Sequence, residues 1–187
     1  MKINYDKYSD AELIELFKEE KETASGAFKA IYDRYSPVIH SYCSKVLRYE
    51  DNAEDVFQET FIKFFNNCTK ETNNFNIQGY LLTIARNLCL NAKRDRKEHI
   101  SDEYIDNFYS DEQSYEQTEL LDLINRTLDL LDDAHREAFV LREYSGLEYT
   151  QIAELCGTTV VNAKSRVFRA KQKIKSILEP YLKELSQ

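Results

Sequence analysis

A chain of 187 residues with four glycines and two prolines, 42% apolar and rich in Glu, Lys and Leu, has the composition of an all-helical protein of one or two domains. No apolar run approaches membrane-spanning length and no charged-then-apolar leader opens it, so no membrane insertion is expected. A formal net charge of −8 implies weak nucleic-acid affinity for the chain alone, and makes the placement of its 25 basic residues the informative feature.

Cys43, Cys68, Cys89 and Cys156 stand singly, without a CxxC pair or a nearby His, and read as reduced thiols, mostly on apolar helix faces, which favours the cytoplasm. His40, His99 and His135 are equally isolated. No metal site, cofactor or nucleophile–base pair is therefore expected, and no catalytic residue is assigned.

In chain order, Leu13, Ile14, Leu16 and Phe17 behind a Ser9/Asp10 cap predict a helix over 10–20. A second is predicted over 25–48, with Phe28, Ile31, Tyr32, Tyr35, Ile39, Cys43, Val46 and Leu47 at helical spacing and Pro37 expected to kink or divide it. Asp51 and Glu54 suggest a capping box opening a third helix that ends near 67. Its buried side is Val56, Phe57, Thr60, Phe61 and Phe64; Asp55, Gln58, Glu59, Lys63 and Asn66 form the other, with Ile62 in their midst. An Ile ringed by polar groups has the layout of an interface centre with a polar rim.

Residues 68–78 form a polar, Asn-rich loop whose one aromatic is Phe75. A fourth helix follows over 79–96, with Leu81, Ala85, Leu88 and Ala92 inward. Tyr80, Thr83, Asn87, Asn91 and Arg94 line an outer side beside Arg86, Lys93 and Lys97, so aromatic and amide groups interleave with cations as on a nucleic-acid surface. Residues 98–117 are acidic and lack apolar periodicity, which predicts a flexible linker. Beyond it Leu120, Leu121, Ile124, Leu128 and Leu131 mark a helix. Asp132 or Asp133 caps another, with Ala138, Phe139, Leu141 and Tyr144 facing a core and Gly146 ending it.

The stretch 149–175 reads as a helix-turn-helix. Gly157 ends its short first helix and Thr159 caps its second. On a helical wheel Val160, Ala163, Val167, Ala170, Ile174 and Ile177 or Leu178 make an apolar stripe, with Asn162, Ser165, Arg166, Arg169 and Lys173 opposite. Residues 160–175 hold six basic side chains and no acidic one, which suits a major groove. The expected fold is thus all-α: two small helical domains joined by a flexible linker, with boundaries 1–97, 98–118 and 119–187, the C-terminal domain containing the helix-turn-helix.

The segments AEDVFQETFIKFF at 53–65, GYLLTIARNLCLNAKR at 79–94 and GLEYTQIAELCGTTVVNAKSRVFRAKQKI at 146–174, in this order and spacing, resemble the extracytoplasmic-function class of bacterial sigma factors over about 28–97 and 120–182. The resemblance implies a promoter-specificity subunit of RNA polymerase, with core polymerase, promoter DNA and an anti-sigma factor as partners. It implies that Asp55, Gln58, Glu59 and Phe61 match the motif docking on the polymerase clamp helices; the wheel keeps Phe61 in the core and adds Ile62. It implies that Tyr80, Ile84, Ala85, Arg86 and Asn87 engage the downstream promoter element, Tyr80 standing where Trp is more usual. Asn73, Asn74, Phe75 and Asn76 then fall in the loop that captures a flipped base, and Lys164, Ser165 and Arg166 in the signature reading the upstream element. Val161 and Asn162 depart from the common Gly-Thr there. The acidic linker takes the place of the segment threading the polymerase RNA channel.

Two rivals stand beside this reading. A free-standing helix-turn-helix regulator would use 160–175 equally well but leaves the face of Asp55, Gln58 and Glu59 unexplained. An enzyme acting on nucleic acid would need clustered carboxylates or a base–nucleophile pair near a basic stretch, and neither 86–97 nor 160–175 has one.

Overall fold

The computed structural model describes residues 5–48, 52–68, 76–99 and 117–184, and among these it is helices joined by short turns, with no strand. The chain divides into two compact units, Met1–Ala92 and Lys93–Gln187.

The first unit opens with a short 3-10 turn, Tyr5–Lys7, and α1, Asp10–Phe17. Ser9 caps α1 in a reciprocal box: its backbone N–H donates to the Glu12 carboxylate at 2.7 Å, and the Glu12 N–H donates back to its Oγ. α1 stops at Phe17, three residues before the expected end. Asp10 ties it to the next helix by accepting from Arg34 Nη1 at 2.6 Å and from the Tyr35 hydroxyl.

α2, Lys21–Leu47, starts earlier than its sequence suggested and runs undivided through Pro37. Ser25, expected at the start, instead turns its Oγ back to the Lys21 carbonyl at 2.8 Å, a bond available only inside a helix. Pro37 lies on the exposed side near exposed Asp33, whose carbonyl is the one deprived of a donor and can be hydrated there. Ile31 before it and Ile39 after it are both buried, so packing supports the helix on both sides of the proline.

α3, Asn52–Asn67, buries Val56, Phe57, Thr60, Phe61 and Phe64, the stripe expected from the wheel. Their rings interlock with α1 and α2: Phe57 and Phe61 meet Tyr32, Phe61 meets Phe28, and Phe64 meets Phe17. Thr60 fits this apolar side because its hydroxyl donates to the Val56 carbonyl at 2.7 Å.

α4, Ile77–His99, begins two residues before the expected start. Asn76 supplies the cap: its Oδ1 accepts the Gly79 N–H at 3.0 Å, and its carbonyl accepts the Tyr80 N–H at 3.0 Å. The buried side is Ile77, Leu81, Leu82, Ala85 and Cys89, wider than the expected stripe, and Leu88 is only half-buried.

The second unit begins with α5, Gln117–Asp129, followed by α6, Asp133–Glu143. Of the two candidate caps, Asp132 serves, accepting the His135 N–H at 3.1 Å. α6 buries Ala138, Val140 and Leu141; Tyr144, expected inward, lies at the exposed margin beside Phe139. Gly146 turns the chain with φ +69. α7, Tyr149–Leu155, and α8, Val160–Glu184, complete the unit. Leu128 and Leu131 from the α5 end pack on Ala170 and Ile174 of α8, with Phe139 and Leu178 against them.

Candidate nucleic-acid and polymerase interfaces

The geometry of the helix-turn-helix follows from its two caps. α7 ends in a Schellman arrangement: Thr158 N–H reaches the Ala153 carbonyl at 2.8 Å and Gly157 N–H the Glu154 carbonyl at 3.2 Å. Gly157 adopts φ +61, where a side chain would be strained. Two residues on, Thr159 Oγ1 accepts the Asn162 N–H at 3.1 Å and starts α8. Thr159, expected at a DNA surface, is thus a cap that also stands exposed.

α8 divides as its wheel requires. Ala163, Val167, Ala170 and Ile174 are buried, whereas Asn162, Lys164, Arg169 and Lys173 are exposed and Ser165 and Arg166 half-buried. The outer face carries two exposed apolar side chains that the sequence reading did not assign to the DNA surface: Phe168, and Val161, noted there only as a departure from the common Gly-Thr. Both fall off the apolar stripe of the wheel, the signal that could have singled them out. Lys164 sits with Nζ 5.7 Å from the centre of the Tyr149 ring, and the Arg142 guanidinium lies 4.6 Å from that ring. Glu148 accepts from Arg142 at 3.1 Å, a hydrogen bond that raises the Arg142 pKa. One tyrosine at the start of α7 therefore orders cations from α6 and α8. Lys171 lies aside from this face and pairs with Glu143 at 2.8 Å.

On the first unit, α3 turns Asp55, Gln58 and Ile62 outward, with Glu59 half-buried beside them. Ile62 is 54% exposed. Gln58 donates to Glu54 at 3.0 Å, and Glu59 pairs with Lys63 at 3.3 Å. Phe65, one turn beyond Ile62 and missed by the sequence reading, is also exposed; its ring edge packs on Phe17 and Phe28.

α4 presents Asn87, Asn91 and Arg94 to solvent and leaves Tyr80 and Arg86 half-buried. The Tyr80 ring lies 6.1 Å from that of Phe64, so it is partly a packing residue. Asn73, Asn74 and Phe75 lie outside the described residues. Among the described residues no group of His, Cys, Asp or Glu is arranged to hold a metal ion, and no helix is long and apolar enough to cross a membrane.

An all-helical chain whose C-terminal unit holds a capped helix-turn-helix with a cationic outer face belongs to the DNA-binding helix-turn-helix class. The family model for Sigma-70 region 2 matches residues 31–99, and that for Sigma-70, region 4 matches 121–174. The chain is 31% identical over 146 residues to the ECF RNA polymerase sigma factor EcfG of Rhodopseudomonas palustris, covering 76% of this chain and 80% of that one. It is 30% identical over 172 residues to the RNA polymerase sigma-H factor of Pseudomonas aeruginosa, covering 84% and 89%. Among solved structures it is similar to the sigma factor RpoE of Bartonella quintana in complex with the anti-sigma factor NepR, with a TM-score of 0.73 and 27% identity over 81% of this chain and 96% of that one. CnrH, in complex with the cytosolic domain of CnrY, shares the fold, with a TM-score of 0.67 and 20% identity over 91% and 97%. The chain belongs to the sigma-70 family of RNA polymerase sigma factors, in its extracytoplasmic-function class. It is a promoter-specificity subunit that directs transcription initiation.

Proposed function

We propose that this sigma factor works through three surfaces on two functional domains, 1–97 and 119–187, with the acidic segment 98–118 as the connection. Asp55, Gln58, Glu59 and Ile62 on α3 dock on core polymerase. Tyr80, Arg86, Asn87, Asn91 and Arg94 on α4, with Asn73, Asn74, Phe75 and Asn76 before it, engage and open the downstream element. Thr159, Asn162, Lys164, Ser165, Arg166, Arg169 and Lys173 engage the upstream element. No residue is assigned a catalytic role. The site of action is the cytoplasm, and an anti-sigma factor is a further partner, by analogy with the complexed relative from Bartonella quintana.

The observation that carries this reading is the outer face of α3. An exposed Ile set among Asp, Gln and Glu opposite a fully packed aromatic stripe has no use in a free-standing DNA-binding regulator. The acidic balance of the chain agrees, because its overall field opposes phosphates and leaves tight binding to the assembled enzyme. Band shifts of a promoter duplex by the full chain, with and without core polymerase, test it. Binding only in the presence of core is expected; equal binding by the chain alone would favour the free-standing regulator.

A further inference from the structure

The outer face of α8 is cationic, yet two large apolar side chains stand on it. Val161 is 75% exposed and Phe168 63% exposed. They lie seven residues apart on one side of the helix, off the buried stripe of Ala163, Val167, Ala170 and Ile174. Around them are Lys164, Ser165 and Arg169, with Arg166 at the margin, and residues 160–175 include no acidic side chain. The surface that covers this face must therefore be anionic and must also offer apolar groups at defined points. A DNA major groove does both: phosphates border it, and the thymine C5-methyl is the apolar group on its floor. Val161 is the second residue of α8, and the N-terminal residues of a recognition helix are those that reach base edges.

We propose that Val161 is a specificity-determining residue that packs on a thymine C5-methyl in the upstream promoter element. Phe168 makes a second apolar contact about 10 Å further along the helix, roughly three base-pair steps away. The proposal rests on the reading of α8 as the upstream-element helix. Branched and aromatic carbon in contact with a methyl excludes water from both, whereas cytosine at the same step would present an amino group to an apolar wall and leave it unpaired.

The test uses the holoenzyme reconstituted from full chain and core polymerase, on a duplex that this holoenzyme selects from a random-sequence pool. Each thymine of the upstream element is replaced in turn by deoxyuridine, which removes only the methyl. At one thymine the wild-type holoenzyme should lose about fourfold in affinity, the worth of burying one methyl group. Val161→Ala should bind the thymine duplex more weakly by a similar factor and be indifferent to deoxyuridine at that position. Phe168→Ala should leave that response intact. Val161 is too exposed to support the core, so the variant should melt with the wild type; Val161→Ser, which carries no methyl, repeats the test should it not. A selected element without thymine, a flat deoxyuridine series, or a Val161→Ala protein still sensitive at every thymine would overturn the proposal. Arg166→Ala on the same duplexes separates the two levels. If it weakens binding while the deoxyuridine series is flat, only the methyl contact falls; if the series is flat and both Arg166→Ala and Val161→Ala bind as the wild type does, the upstream-element reading falls with the methyl contact.

Discussion

Arg136 donates through Nε to the Leu128 carbonyl at 2.9 Å, from a side chain that is 1% exposed. Its Nη2 reaches the Leu131 carbonyl at 2.9 Å, so one buried guanidinium on α6 satisfies carbonyls at and beyond the end of α5. Replacing it by Met keeps much of the volume and strips those carbonyls of a charged donor. We expect Arg136→Met to cost about 2–4 kcal/mol, read from denaturant unfolding of the second unit. Arg136→Lys should recover little, because an ammonium cannot span the fork. A Met variant as stable as the wild type would show that the carbonyls find other donors.

Arg136 also marks where sequence reading stops. The stripes of α3 and α8 were legible because burial there follows the helical period, and Gly157 and Thr159 were legible because caps and left-handed turns demand particular residue types, which narrowed the α6 cap to Asp132 or Asp133. A lone Arg on a short helix looks like a solvent-facing charge; its partners are carbonyls brought near by a turn, which no local pattern encodes. The start of α2 was placed too late, at 25, where Ser25 lies inside the helix and its hydroxyl donates to the Lys21 carbonyl. Leu82 was missed, and Cys89 left off the expected α4 stripe, because α4 is packed across a broader arc than one stripe. Of the candidate surfaces, the outward faces of α3 and α8 were readable, whereas the Tyr149 contact with Lys164 depends on how two helices meet.

On α8, Arg166 and Lys171 should behave differently. Arg166 flanks the exposed face that carries Asn162 and Arg169, whereas the Lys171 ammonium is held by Glu143 at 2.8 Å. Arg166→Ala is expected to cost about 1–3 kcal/mol at the cognate upstream element and to flatten the ranking of mutated promoters. Lys171→Ala should leave that ranking unchanged and cost the fold about 0–1 kcal/mol, as partly exposed ion pairs do. Competition band shifts with the holoenzyme read both. An unchanged ranking for Arg166→Ala would remove its base-reading role.

For α3, Asp55→Arg, Glu59→Arg and Ile62→Asp should each abolish co-purification with core polymerase while leaving the melting temperature near that of the wild type. The three side chains stand off the packed stripe of Val56, Phe57, Thr60, Phe61 and Phe64. Glu59→Arg also breaks a pair with Lys63 in which both side chains are 45% exposed, worth under about 1 kcal/mol. Retention of polymerase by all three would sink the docking surface.

The start of α4 joins a structural duty to the proposed opening of DNA. Asn76 Oδ1 is taken by the Gly79 N–H at 3.0 Å, and a Cβ at Gly79 would come within 3.0 Å of Asn76 Nδ2, so the cap fits closely over the glycine. Asn76→Ala should lower stability by about 1 kcal/mol, and Asn76→Asp, an equally good cap, should restore it. Extracting a base from the stack costs a few kcal/mol, which a pocket must return by stacking and by hydrogen bonds to the base edge. Asn73→Ala and Asn74→Ala are therefore expected to depress transcription from duplex promoters and to spare much of it on a template with a mismatched bubble, at unchanged melting temperature. Asn76→Asp discriminates the two duties, since it keeps the acceptor oxygen that caps and loses the amide hydrogens. We expect it to match the wild type in melting and on the bubble template, and to fall below it on the duplex. Full activity on both templates would confine Asn76 to capping, and equal loss on both by the Asn73 and Asn74 variants would remove strand opening from this loop.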